Sequence, residues 1–177
     1  MPTLETSRLV LRRWTELDIV PMSGINADPE VMRWIGSGAT RTEEETKTFI
    51  ERCEEMWETR GFGLFALEIR DTGELAGFVG LSVPTILPEV MPAVEIGWRL
   101  GRAFWGGGIA TEAAKEALRF GFENCGLSEV LSICQIGNTA SERIMQKLGM
   151  HFNRETIDPS CGRRIRVYAI ERQGTGN

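Results

Sequence analysis

The sequence predicts an α+β fold, a mixed and mostly antiparallel sheet of about seven strands with helices on both faces. Two observations lead there. Residues 62–70 (FGLFALEIR) and 75–83 (LAGFVGLSV) are strand-like apolar runs separated by Asp71, Thr72, Gly73 and Glu74, which is the signature of a β-hairpin. After several antiparallel-looking strands comes the clearest helix of the chain, where Ala110, Ala113, Ala114, Ala117, Leu118, Gly121, Phe122 and Cys125 recur at helical steps.

Taken in order, the chain opens with a strand over residues 7–14 (SRLVLRRW), and Thr15 then offers a helix cap ahead of Leu17, Ile19 and Val20. Asp28 followed by Pro29 at the first helical position starts a further helix running through Ile35. Thr42 with Glu45 three residues on forms a capping box for a longer helix that ends near Arg60 and Gly61. After the hairpin and a proline-marked loop at 84–92, residues 93–100 (AVEIGWRL) read as a strand. Its alternation puts Val94, Ile96, Trp98 and Leu100 on one face and Glu95, Gly97 and Arg99 on the other. The small residues of the alanine-rich helix let it lie close to a sheet, while Glu112, Lys115, Glu116, Arg119 and Glu123 face water. A strand at 129–135 follows. Asn138 then caps a helix to Leu148, Gly149 ends it, and strands at 151–156 and 164–171 close the chain. With no repeat, linker or low-complexity segment, 177 residues make one domain spanning 1–177.

Composition excludes several classes. Hydrophobic residues at 42% and charged residues at 25% belong to a globular protein, neither disordered nor fibrous. A net charge of −5 speaks against nucleic acid, which needs a basic face. It suits an ammonium-bearing substrate, and more simply the plain solubility of a cytoplasmic protein. Cys53, Cys125, Cys134 and Cys161 are scattered without a CxxC pair, and His151 is the one histidine, so neither metal nor disulfide framework is expected. No stretch approaches the ~20 apolar residues of a membrane span, and the first residues lack a leader pattern, which reads as a reduced, cytoplasmic protein with no membrane partner.

The chemistry concentrates in residues 102–114, where Gly106, Gly107 and Gly108 lead from a strand straight into a helix N-terminus. Glycines let the backbone approach a ligand and the helix dipole adds partial positive charge, which together make an anion cradle. A phosphate loop of the Lys-Ser/Thr kind and a GxGxxG dinucleotide turn are both absent. Downstream lie the strand at 129–135, then Asn138, Thr139, Ala140 and Ser141, then a helix closing in Lys147, Leu148, Gly149 and Met150.

WGGGIATEA together with NTASERIMQKLGM resembles the GNAT acetyltransferase superfamily, most closely its RimJ/RimL-like branch, and the resemblance extends over nearly the whole chain. Thr6, Arg8, Leu9, Leu11 and Arg12 of the opening strand share in it. It implies the GNAT fold, splayed around the arm of acetyl-CoA, and transfer of acetyl to a primary amine of a protein N-terminus or a small molecule. It further implies that the backbone of Trp98 and Leu100 pairs with the pantetheine arm. Gly106, Gly107, Gly108, Ile109, Ala110 and Thr111 would contact the pyrophosphate, Asn138 the pantetheine, and Ser141 would lie near the sulfur. Where many relatives carry a tyrosine that protonates the leaving thiolate, this chain has Met145.

From the residues themselves, Glu95 is a strand carboxylate suited to accept a proton from an ammonium, or to pair with Arg99 or Arg12, and Glu68 is a rival base. Asn138 serves as a helix cap with or without a ligand role, and Ser141 either assists the thiolate or bonds back to the carbonyl of residue 137. Cys134 reads as a core residue, with closeness to the coenzyme thiol as a second possibility. A noncatalytic acyl-CoA-binding module is the alternative function. The quaternary state stays between monomer and homodimer.

Overall fold

A computed structural model describes residues 2–174. In chain order the elements are β1 (Leu4–Glu5), β2 (Leu9–Arg12), α1 (Ile19–Asn26), α2 (Pro29–Met32), α3 (Glu43–Arg60), β3 (Leu64–Ile69), β4 (Leu75–Ser82), β5 (Glu95–Leu100), α4 (Ile109–Glu123), β6 (Glu129–Gln135), α5 (Thr139–Lys147), β7 (His151–Ile157) and β8 (Arg164–Glu171). The eight strands form one sheet in the order β1-β2-β3-β4-β5-β6-β8-β7. Every neighbouring pair is antiparallel except β5 and β6.

Alternation along the strands sorts the core. Phe65, Leu67, Val79, Leu81 and Ile96 meet the small face of α4, whose Ala110, Ala113, Ala114 and Ala117 are all buried. A Cβ built on Gly121 would lie 3.0 Å from Leu81 Cδ1, so the small residues set how closely α4 approaches the sheet. The opposite alternation, Ala66 and Phe78, packs under Met22 of α1 and Ile50 and Cys53 of α3. Burying each large apolar side chain contributes about 1.5–3 kcal/mol, so β4, buried along almost its whole length, is a main holder of the two layers.

All seven expected strands form, and the two-residue β1 is added to them. The helix after Thr42 has its capping box and ends at Gly61 as expected. The helix expected from Pro29 to Ile35 is shorter and stops at Met32. Beyond it the chain tightens into three-residue turns, the Ile35 amide bonding to the Met32 carbonyl (2.9 Å) and the Gly38 amide to the Ile35 carbonyl (2.8 Å), and Arg163 from the loop before β8 donates to the carbonyls of Arg33 (3.1 Å) and Ser37 (2.5 Å). Glu112 is also corrected, since it does not face water. Its carboxylate accepts from Thr6 Oγ1 (2.6 Å), the Arg8 amide (3.2 Å) and Arg8 Nε (2.7 Å), which clamps the β1–β2 turn onto the first turn of α4.

Replacing Glu112 by Gln removes the charge from this clamp and leaves an amide where donors converge. Hydrogen bonds to charged groups contribute about 1.5–3 kcal/mol each, and part of that is kept by the amide oxygen, so Glu112→Gln is expected to lower unfolding free energy by about 1–3 kcal/mol. Urea titration of the two proteins measures it; equal midpoints would show that the clamp holds nothing together.

Candidate active site

The glycine-rich loop between β5 and α4 is tied at three points. Arg102 binds Asp28 at the start of α2 (2.6 Å), Arg8 donates to the Gly107 carbonyl (2.8 Å), and Trp105 Nε1 donates to the Leu100 carbonyl (2.9 Å). Gly106 and Gly108 both have φ of 77°, in the region that costs an L side chain ~1–2 kcal/mol, and Gly108 is the N-cap of α4. The first bond of the helix runs from the Glu112 amide to the Gly108 carbonyl (3.0 Å). That leaves the amides of Ile109, Ala110 and Thr111 as end-of-helix donors, backed by the positive end of the α4 dipole.

These donors open onto a cleft of about 400 Å³ lined by Leu100, Gly106, Gly108, Ile109, Ala110 and Thr111 from one side and by Asn138 with Ser141, Arg143 and Lys147 of α5 from the other. Gly107 is not part of this lining, its carbonyl being turned to Arg8. The combination of helix N-terminus, glycines and cations fits a pyrophosphate group, and the residues present therefore suit coenzyme A.

The parting of β5 from β6 makes the second half of the site. The strands share a single register pair, Glu95 with Leu131, reinforced by the Leu131 amide to the Val94 carbonyl (2.9 Å) and Ser132 Oγ to the Ile96 carbonyl (3.0 Å). Val94 and Ile96 thus point their backbone groups at β6. By the two-residue alternation Trp98 and Leu100 point theirs the same way, past the place where β6 has turned off. β5 there presents a strand edge inside the sheet. The Leu100 carbonyl is already held by Trp105, so its amide is the group that remains.

At the start of α5, Asn138 caps the helix by accepting from the Ser141 amide (3.3 Å), which turns its Nδ2 to donate to Ser141 Oγ (3.1 Å). Trp98 Nε1 donates to the same oxygen (3.3 Å). Ser141 Oγ accepts twice, from Asn138 and Trp98, instead of bonding back to the Gly137 carbonyl, and its proton is directed away from both donors. Met145 lies one turn on, buried at 1% exposure, and Tyr168, the one tyrosine of the chain, donates to Glu142 (2.6 Å) and lines neither cleft.

A second cleft, of about 530 Å³, lies on the α3 side of β5. It shares Trp34, Ile35, Trp98, Arg99, Asn138 and Ser141 with the first. Glu95 stands in its wall, accepting from Ser82 Oγ (3.1 Å); burial pushes its carboxyl up to about 7, against the opposing pull of that hydrogen bond. Glu95 pairs with neither Arg99 nor Arg12. Glu68 is bound by Arg12 (2.8 Å), which also grips Asp18, and Glu68 lines neither cleft. Cys134 borders the second cleft with its thiol pushed up to about 11 by burial, and the Glu142 charge adds to that, so it stays protonated at neutral pH.

Three contributors were not visible in the sequence: the Trp98 indole on Ser141, Ser82 beside Glu95, and the buried Arg99. Alternation places Arg99 on the face of Glu95, but its surroundings depend on α1 and α3, which are remote in sequence. Among the described residues no group of three or more His, Cys, Asp or Glu could hold a metal ion, and no helix is long and apolar enough to cross a membrane.

Residues 8–151 match the Acetyltransferase (GNAT) domain family. The chain is similar to YoaA of Bacillus subtilis, named as an uncharacterized N-acetyltransferase, with 29% identity over 156 residues that cover 88% of this chain and 85% of YoaA. Among solved structures, a GNAT-family acetyltransferase from Bacillus anthracis superposes with a TM-score of 0.79 at 25% identity, covering 96% of this chain and 98% of that one. RimL, a ribosomal L7/L12 alpha-N-protein acetyltransferase solved in complex with coenzyme A, shares the fold at a TM-score of 0.78 and 14% identity, covering 96% and 98%. The anion-cradling helix terminus, the internal strand edge and these likenesses agree: the chain belongs to the GNAT family of acetyl-CoA-dependent acetyltransferases and is an N-acetyltransferase.

Proposed function

We propose that this chain, acting as one domain of the RimJ/RimL-like kind over residues 1–177, transfers acetyl from acetyl-CoA directly to a primary amine within a ternary complex. The observation that carries the reading is the meeting of the two clefts at Trp98, Arg99, Asn138 and Ser141, where β5 and β6 part. A donor in the first cleft and an acceptor in the second reach each other through that gap. Acetyl-CoA supplies an activated acetyl thioester.

The chain's own groups divide the remaining work. Gly106, Gly108, Ile109, Ala110 and Thr111 hold the pyrophosphate, and the backbone of Trp98 and Leu100 pairs with the pantetheine arm, which Asn138 also contacts. Glu95 takes a proton from the acceptor ammonium, directly or through water. A backbone N–H near Leu100 donates to the carbonyl oxygen as charge gathers there. The Ser141 proton, directed by the bonds from Asn138 and Trp98, is offered to the departing thiolate.

Coenzyme binding by the helix terminus is tested with Gly108→Glu against Gly108→Ala. Both carry the strain of a positive φ, but only Glu adds a negative charge at the cradle. Calorimetry should find acetyl-CoA binding abolished in the Glu variant and largely kept in the Ala variant; equal affinities would move the pyrophosphate elsewhere.

If Glu95 is the base, it works only when ionised, so kcat/KM should rise with pH through about 7, the value to which burial raises it. Glu95→Gln should erase that limb and lower kcat by roughly 10² to 10⁴, whereas Glu68→Gln, whose native partner is Arg12, should be mild. A reversed ranking would place the base on β3.

Ser141→Ala keeps a helix former at that position, so the fold should hold. A thiolate leaves readily near neutral pH, and the expected loss is about tenfold in kcat with acetyl-CoA affinity nearly unchanged. Full activity would leave water as the proton donor.

A further inference from the structure

Arg99 is a buried cation without an anion. Its side chain hangs from β5 into the second cleft at 8% exposure, and no carboxylate pairs with it among the described residues. Nη1 donates to Asn26 Oδ1 (2.7 Å), and the guanidinium carbon stands over the rings of Phe78 (5.0 Å) and Phe49 (5.8 Å). Nε has no partner and is the one buried side-chain nitrogen or oxygen among the described residues in that state. Burying an unpaired charge and an unmade hydrogen bond is expensive, and a ligand anion is one partner that would offset the cost. Arg41 and Arg52 line the same cleft and form no ion pair among the described residues, while Glu95 is its one carboxylate.

The spacing along β5 gives this charge a meaning. Glu95, Gly97 and Arg99 share one face, each two residues or ~7 Å from the next. A side chain at Gly97 would meet nothing within 4 Å, so the space between the acid and the cation is open. The wall thus reads as proton acceptor, gap and anion receptor. Such a wall complements a molecule carrying an ammonium and an anion a few bonds apart, and it opposes a polycation through three arginines.

Resting on the acetyl-transfer reading above, we propose that the acceptor is a small amino acid-like zwitterion whose carboxylate is received by Arg99, with Arg41 assisting, while its amine is presented near Gly97 to Glu95. A free amino acid is favoured over an acidic peptide N-terminus because Arg99 is buried, bonded to Asn26 of α1 and stacked over Phe78 of β4, so the anion it receives is the inner end of the ligand, as a free α-carboxylate is and a peptide's continuing chain is not. Arg99 is thereby a substrate-binding residue that sets specificity and takes no part in the proton transfers.

The test compares each of the twenty common L-amino acids with its carboxamide, and with peptides starting in Asp or Glu, as acceptors for acetyl-CoA. The wild-type protein should turn over at least one amino acid with kcat/KM roughly 30-fold or more above that of its amide, the loss expected when a buried charge pair forfeits one partner. Arg99→Gln should remove that preference by slowing the acid and leaving the amide nearly unchanged, and Arg99→Lys should recover part of it. Arg99→Met, which replaces an unpaired buried cation by an apolar chain, should melt no lower than wild type. Preference for amides or acidic peptides over free amino acids, or equal slowing of acid and amide in Arg99→Gln, would overturn the proposal.

Calorimetric titration of the same pairs into the protein saturated with coenzyme A separates the two readings. Tighter binding of the acid than of its amide, lost in Arg99→Gln, supports the receptor even where no amine is acetylated, in which case acetyl transfer is what fails. Equal binding of acid and amide defeats the receptor whatever the turnover.

Discussion

Everything in the site depends on β5 and β6 running parallel and touching at one place. A parallel neighbour is the exception in this sheet, and with only Glu95 and Leu131 in register the two strands separate instead of zipping. Below that point β5 keeps its full antiparallel ladder with β4, six pairs from Ser82 with Glu95 to Gly77 with Leu100, so it cannot follow β6 outward. The result is a strand edge with unpaired backbone groups inside a folded sheet, which soluble proteins otherwise cover or avoid. A ligand arm with amide groups is the natural complement, and the edge also connects the two faces of the sheet.

The elements around the gap are held by ties from distant parts of the chain. Glu112 and the Gly107 carbonyl receive Arg8, Asp28 receives Arg102, and the Leu100 carbonyl receives Trp105. A glycine-rich loop on its own is entropically costly to order, and these side-chain bonds let it keep the positive φ values at Gly106 and Gly108 that aim the first amides of α4 into the cleft. On the other bank, one asparagine does two jobs. Its oxygen caps the N-terminus of α5 and its nitrogen, with Trp98, orients Ser141.

Net charge turns out to be a poor guide to the second cleft. The chain is acidic at −5, yet the cleft is lined by Arg41, Arg52 and Arg99 with a single carboxylate, and burial moves two of these groups toward neutrality, Glu95 up to about 7 and Arg99 down to about 10. The acidic surplus sits elsewhere, on surfaces such as the first turn of α3 with Glu43, Glu44 and Glu45. A summed charge weighs exposed and buried groups alike, whereas recognition depends on the few that are desolvated.

The sequence by itself determined the strands, the capping boxes and glycine stops of the helices, and the placement of Glu95, Gly97 and Arg99 on one face of β5, because side-chain period and backbone preference are properties of neighbours along the chain. The glycine loop and Asn138 were legible for the same reason. The tertiary structure alone decided that β6 parts from β5, that Arg163 binds the turn after α2, that Glu112 serves the β1–β2 turn instead of water, that Arg12 takes Glu68 out of contention, and that Trp98 directs Ser141. Each of these is a meeting of groups tens of residues apart, set by how the layers pack, and no local pattern records which distant donor a carbonyl or carboxylate will find.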